Sequence, residues 1–323
     1  MNENKKIMIG ISFVALALIL VVGSLLFFLQ QPNEENIGVK LGYKKHLGYL
    51  PIFVGIEKGF YQQEGLSVDA AVFDSTNQML GAVASGNIDG TIGAANLETI
   101  FGLEEKSPNT VKIFTTVDID DTSMFSCVMV KAGSTLEKLA DLKHSKIGTM
   151  QGSFSTLFTV ATLNTADIAK SDVEITEIAS ELQLPALESG QVDALVTLEP
   201  ACTFGVNKGI GKIIYKEPMK NLAPTFAASV LSAEFVKKSP DAAKKIVAGT
   251  DRAIDFIKAN PQESIEILAK YAGYKKELIS GMKPPIYSKS REINVDNLQE
   301  LADRLYKSGI LKKQTDASRM IYG

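Results

Sequence analysis

Hydrophobic and polar positions follow two different periods along most of the chain, and the changes of period mark its elements. Ile37, Val39, Leu41 and Tyr43 interleave with Gly38, Lys40 and Gly42, a period-two pattern that predicts a strand. The stretch that follows, GYLPIFVGIEKGFYQQEGL from Gly48 to Leu66, predicts a helix of about two turns. Pro51 suits its first turn, where a missing N–H has no partner to lose, and Gly59 and Gly65 suit the left-handed position beyond a helix end. Ile52, Phe53 and Ile56 form its buried side. A strand over 66–73, a capping box at Ser75 and Gln78 opening a helix to Ser85-Gly86, a strand over 88–92, a loop at Ala94-Ala95-Asn96, another helix and a strand over 111–117 complete the region. Strands alternating with helices over short connections predict a parallel or mostly parallel sheet covered on both faces.

The acidic run Asp118-Ile119-Asp120-Asp121-Thr122 separates this from a second region on the same plan. A strand over 124–131 leads to a capping box at Ser134 and Glu137. A strand over 146–150 then ends in Gln151-Gly152-Ser153-Phe154-Ser155-Thr156, where a helix begins. A third capping box, Ser180 with Gln183, opens a helix that stops at Ser189-Gly190. Two segments share the form S-G-x-[I/V]-D-[G/A]: Ser85 to Gly90 and Ser189 to Ala194. Asp89 and Asp193 read most simply as local caps of a helix-stop turn, yet the matched order of elements around them predicts two similar α/β lobes. From Ser239 onward the pattern is helical, with starts at Ser239-Pro240, Asn260-Pro261 and Val295-Asp296-Asn297.

The N-terminal segment breaks both periods. Positions 7–29 are apolar and uncharged, about 23 residues that as a helix span about 34 Å and cross a hydrocarbon core. Lys5 and Lys6 precede the run while Glu34 and Glu35 follow it, which places the amino terminus in the cytoplasm and the remainder outside. A cleaved signal peptide would carry a shorter apolar core and small residues at its cleavage site, and Phe27-Phe28-Leu29-Gln30-Gln31-Pro32 has none. An uncleaved single-pass anchor is therefore expected.

Composition adds little until the arginines are located. The 323 residues carry a net charge of −3, which gives no reason to expect nucleic acid as a partner. The only arginines are Arg252, Arg291, Arg304 and Arg319, so an anion site in the two α/β regions has no guanidinium fork. Cys127 and Cys202 are the only cysteines; neither has metal-pair spacing, Cys127 reads as a core strand residue, and a disulfide between them is permitted outside the cell without being favoured.

In α/β sheets ligands collect beyond the carboxyl ends of strands, where helix amino ends converge. Three loops qualify: His46 to Tyr49, Ala94 to Asn96, and Gln151 to Thr156. The third is the best anion cradle, with Gly152 admitting backbone, Ser153 and Ser155 bringing hydroxyls, and a helix dipole favouring negative charge. An ordinary serine cap without ligand explains the same residues. His46 is placed to reach a ligand or to bond backbone; Glu199 either faces the cleft or caps the helix after it. His144 reads as an exposed turn residue. Two histidines build no metal centre, and no catalytic motif is present, so neither a cofactor nor an enzyme is expected.

The run Gly48 to Tyr61 with Glu64-Gly65-Leu66-Ser67-Val68, the paired S-G-x-x-D segments, Gln151-Gly152-Ser153 and the C-terminal Leu-Tyr-Lys-Ser-Gly-Ile resemble the nitrate, sulfonate and taurine substrate-binding proteins, a group that extends to binders of thiamine-pyrimidine precursors. The resemblance covers nearly everything after residue 36. It implies a type II periplasmic-binding-protein fold: lobe I over 37–122, lobe II over 123–228, and a return segment with C-terminal helices over 229–323 packing mainly on lobe I, behind a tip, anchor and linker over 1–36. It also implies a solute held between the lobes and delivered to an ABC permease and its ATPase, on the extracytoplasmic side. His46, Tyr49, Asn96, Gln151, Ser153, Phe154, Ser155, Glu199 and Thr225 are the matching cleft candidates. The cysteine-rich run of the pyrimidine-synthesising relatives is absent. Without arginine an anion would depend on helix ends, hydroxyls and Lys44 or Lys45, so an uncharged heterocycle stacked on an aromatic is the alternative guest, and a tethered ligand sensor acting through a separate partner is the alternative role.

Overall fold

Alternating burial of Val39 and Leu41 fixes the first strand, and the rest of the architecture is laid down beside it. The computed structural model describes residues 36–323 apart from Asp121 and Ser123. The anchor expected at 7–29 lies outside the described residues; among those described, no helix is long and apolar enough to cross a membrane. The first half runs β1 (Ile37–Tyr43), α1 (Leu50–Glu57), α2 (Phe60–Gln63), β2 (Leu66–Val72), α3 (Thr76–Ala84), β3 (Gly90–Asn96), α4 (Leu97–Lys106) and β4 (Val111–Asp118). The second runs β5 (Ser126–Lys131), β6 (Lys146–Thr149), α5 (Ser153–Asn164), β7 (Glu174–Glu177), α6 (Gln183–Ser189), β8 (Ala194–Leu198), α7 (Ala201–Asn207) and β9 (Gly211–Lys216). The chain then returns through β10 (Thr225–Ser232), α8 (Ala233–Lys238), α9 (Pro240–Ala259), α10 (Pro261–Ala272), β11 (Ile286–Ser288) and α11 (Val295–Lys307).

Two sheets result, ordered β11-β4-β10-β3-β1-β2 and β7-β6-β8-β5-β9. Each is mixed rather than mostly parallel. In the first, β1 pairs in parallel with β2 and β3, while β10 is antiparallel to both β3 and β4. In the second, β6 pairs in parallel with β7 and β8, while β5 is antiparallel to both β8 and β9. In each sheet the strand that has just crossed from the other half, β10 or β5, is antiparallel to both its neighbours, and β11 also runs antiparallel to β4 at the edge of the first; no local pattern announces this topology. Because β10 belongs to the first sheet, the return crossing lies at 217–224, ahead of the 228 boundary read from the sequence.

The S-G-x-[I/V]-D pair does the same work in both halves, and it is not a local cap. The Asp89 carboxylate accepts from the Lys40 amide at 2.7 Å and its own amide donates to the Lys40 carbonyl at 2.7 Å. Asp193 treats Lys146 identically, at 2.7 and 2.8 Å. Each aspartate thus stitches the start of a strand, β3 or β8, to the parallel strand that leads into a cleft loop, β1 or β6.

Of the three expected capping boxes, one leaves a serine N-cap, without the reciprocal glutamine bond. The Ser75 hydroxyl accepts from the Gln78 amide at 3.2 Å at the head of α3. Ser134 instead closes a turn by accepting from Leu136, and Glu137 pairs with Lys212. Gln183 is buried and accepts from the Thr197 hydroxyl at 2.6 Å, so a tertiary bond takes the side chain that a box would have used. Gly59, Gly65 and Gly190 do adopt the left-handed conformation read from their positions.

Cys127 on β5 and Cys202 on α7 are joined as a disulfide, their Cα atoms 6.0 Å apart. Bridging a sequence separation of 75, the crosslink should contribute about 2–4 kcal/mol by restricting the unfolded chain. Replacing both cysteines by alanine is expected to lower the denaturant midpoint accordingly; an unchanged midpoint would show that packing alone holds α7.

Candidate functional site

Between the two sheets lies a cavity of about 900 Å³. Its walls come from the places where strands end and helices begin. Lys44 and His46 follow β1; Ser75, Thr76 and Asn77 open α3; Asn96, Glu98 and Thr99 open α4; and 150–155 opens α5 from the opposite half. Phe125 and Phe226, ring centroids 4.9 Å apart, close the end where the chain crosses between sheets. Close approach of the His46 loop to β3 requires glycine. A Cβ on Gly48 would come within 2.4 Å of the Ala94 side chain, and one on Gly93 within 2.6 Å of the Tyr49 backbone.

Six of the nine residues expected from the sequence line this cavity: His46, Asn96, Gln151, Ser153, Phe154 and Ser155. Tyr49, Glu199 and Thr225 do not. Tyr49 is fully buried behind the wall. Thr225, on the returning strand, donates its hydroxyl to Asp118, which also receives Thr116 and Ser288. Glu199 caps α7: its two carboxylate oxygens accept from the Thr203 hydroxyl at 2.6 Å and the Thr203 amide at 3.0 Å.

His46 joins the halves. Its Nδ1 accepts from the Gly48 amide at 3.1 Å, which leaves Nε2 to carry the proton and donate to the Glu199 carbonyl at 2.8 Å. Burial and the nearby Lys44 charge lower its pKa to about 4, against a smaller opposing effect of the bond to Glu199. Glu199 moves the other way. Burial raises its carboxyl to about 7, the Thr203 bonds resist, and the Glu217 charge adds to the rise. Glu217, also buried, holds the amides of Phe125 and Ser126 at the start of β5.

The expected anion cradle is already supplied with carboxylates. Glu177, at the end of β7, accepts from the Gly152 amide and the Thr156 hydroxyl, each at 3.1 Å. The Ser153 hydroxyl donates across the cavity to Glu98 at 3.0 Å. Burial raises the Glu98 pKa, and the Ser153 bond opposes the rise. Lys44 and Lys106 are the cations of the cavity wall, and burial lowers the Lys44 pKa. Sequence reasoning missed Glu98 and Glu177. Glu98 sits two residues beyond Asn96, whose side chain accepts from its amide at 2.9 Å, so it could have been read as the second position of a helix opening at a cleft loop. Glu177 is visible only once the register of Thr149 against Glu177 is known. Among the described residues no cluster of histidine, cysteine and carboxylate side chains is arranged to hold a metal.

Two lobes, each a mixed sheet flanked by helices with two crossings and a cavity between, define the type II periplasmic-binding-protein architecture. Solved structures agree on the fold. The aliphatic sulphonate binding protein SsuA from Escherichia coli matches with a TM-score of 0.74 at 19% identity, covering 88% of this chain and 92% of that one. The nitrate-binding protein NrtA from Synechocystis PCC 6803 matches with a TM-score of 0.63 at 17% identity, covering 88% and 84%. Residues 32–273 match the NMT1-like family, and the chain belongs to it. A relative from Brucella abortus named "Putative binding protein" is 26% identical over 242 residues, 73% of this chain and 72% of its own.

The opposed shifts of His46 and Glu199 predict a pH signature. Between about pH 4.5 and 7 the folded protein holds a proton on Glu199 that the unfolded chain has released, so this group makes stability fall as pH rises. Between about pH 4 and 6.5 the unfolded chain binds a proton that folded His46 refuses, so this group makes stability rise with pH. The two slopes oppose each other. Urea midpoints from pH 4.5 to 6.5 should climb with pH in Glu199→Gln and fall in His46→Gln; parallel profiles for wild type and both variants would refute the assignment.

Proposed function

We propose that this protein is the extracytoplasmic solute-binding component of an ABC importer, not an enzyme, and that it captures a small polar solute bearing an anionic group, of the nitrate, sulfonate or taurine kind, between its two lobes. The observation that carries this reading is the convergence of three helix amino ends, those of α3, α4 and α5, with Lys44 on one cavity. Each helix end offers amide donors and a favourable dipole. A charge-assisted hydrogen bond contributes about 1.5–3 kcal/mol, so a few of them approach the roughly 8 kcal/mol of micromolar binding. The names of the SsuA and NrtA structures point the same way. The apolar run at 7–29 would tether the protein beside its permease and ATPase, with the binding domain outside.

A second reading, a compact heterocycle of the thiamine-pyrimidine type, is favoured by one feature. Phe125, Phe154 and Phe226 all line the cavity, while Glu177 already occupies the amide most suited to an anion. A thermal-shift panel of nitrate, taurine, alkanesulfonates and aminopyrimidines separates the two readings. Sulfonate hits should weaken about tenfold in Lys44→Met, the cost of one lost charge-assisted bond, and should be lost in the double variant Ser153→Ala/Ser155→Ala. Hits of equal strength in both variants would place the site elsewhere.

A further inference from the structure

Glu98 differs from the other acids around the cavity. Glu177 has both oxygens engaged by donors of its own half, and Glu199 has both on Thr203. Asp74 is exposed at the rim, and Glu105, half-buried, accepts from the Lys312 backbone amide at 2.8 Å. Glu98 is half-buried, makes no ion pair among the described residues, and takes its hydrogen bond from one neutral hydroxyl, that of Ser153 on the opposite lobe. A carboxylate can accept about four hydrogen bonds, so Glu98 retains acceptor capacity facing the cavity. The α4 dipole, its amino end at Asn96, favours the ionised form. A solute –NH₃⁺ or –NH₂ group would meet an acceptor already oriented by helix α4, and a cationic donor bonds a carboxylate about twice as strongly as a hydroxyl does.

We propose that Glu98 is the specificity-determining acceptor of this site: it reads an amino group on the solute, which takes the place of Ser153 on its carboxylate, so that the preferred solute carries an amino donor as well as the group held by Lys44 and the helix ends. The inference rests on the reading of the cavity as a solute site and narrows the chemical class of the guest. Within the class of anions proposed above, those that also carry an amino group are preferred, because a solute without one meets Glu98 as an uncompensated like charge.

The test compares probes that differ by one amino group, taurine with ethanesulfonate and 4-amino-2-methylpyrimidine with 2-methylpyrimidine, by calorimetric titration of the folded protein. In wild type the aminated member of the pair that binds should be at least about tenfold tighter, the factor of one charge-assisted bond. In Glu98→Gln, checked for an unchanged circular dichroism spectrum, that ratio should collapse to within about threefold, roughly the scatter of a single neutral hydrogen bond. Asp74→Asn removes the same charge from the cavity wall without touching the proposed contact, and there the ratio should persist. Equal binding of both members to wild type overturns the proposal. So does a preference that survives in Glu98→Gln or disappears equally in Asp74→Asn. Failure of every probe to bind would instead remove the functional reading, and this inference with it.

Discussion

The acids at the strand starts, the crossings and the cleft of the two α/β lobes are satisfied without arginine, and that constraint shapes the molecule. The guanidinium fork is absent before Arg252, so the buried Glu199 and Glu217, and the more accessible Asp89, Asp118 and Asp193, turn to backbone amides and hydroxyls. Asp89 and Asp193 take strand amides, Glu217 takes the two amides that begin β5, Glu199 takes the head of α7, and Asp118 gathers three hydroxyls from β4, β10 and β11. A carboxylate hydrogen-bonded in this way avoids most of the desolvation penalty of burial. The same bonds fix where strands begin and where the chain crosses between sheets. The geometry of the cleft is therefore a consequence of how the acids are paired.

That pairing also decides what the cleft offers a guest. Amides at a helix start attract anions, but at α5 one of them is spent on Glu177, and Ser153 spends its hydroxyl on Glu98. The remaining positive character comes from Lys44, Lys106 and the ends of α3 and α4. A cavity holding donors on one side and an underused carboxylate on another suits a bifunctional solute better than a bare anion. His46, neutral and fixed as the Nε2–H tautomer, contributes a bond between the lobes through the Glu199 carbonyl, so its role is to hold the walls together.

Much of the fold was legible because its signals are local. The alternation at Ile37 to Tyr43, Pro51 at a helix start, the left-handed glycines at Gly59 and Gly190, and the repeated S-G-x-[I/V]-D form are each set by a few neighbouring residues. The sheet order was not legible, since β5 and β10 insert into the sheet opposite to the one just left, and nothing in their own sequences records it. The site divided along the same line. His46, Asn96 and the Gln151–Ser155 loop sit where strands give way to helices, and the cavity wall gathers them. Glu199 satisfied a local helix end, Thr225 faced a carboxylate on the neighbouring strand, and Tyr49 was sealed behind Gly93. Glu98 and Glu177 went unseen because their importance lies in partners distant in sequence, Ser153 and Gly152. Gln183 shows the converse error, a local capping pattern overridden by a buried bond to Thr197.

The central claim is that one solute is gripped by both lobes at once. A crystal structure of the protein with the strongest binder from a solute panel tests it most directly. The account predicts ligand density between the two sheets, in contact with Lys44 or the head of α4 on one side and with the Gln151–Ser155 loop on the other. Density confined to one lobe, or seated on the outer surface with the cavity filled only by solvent, would contradict it.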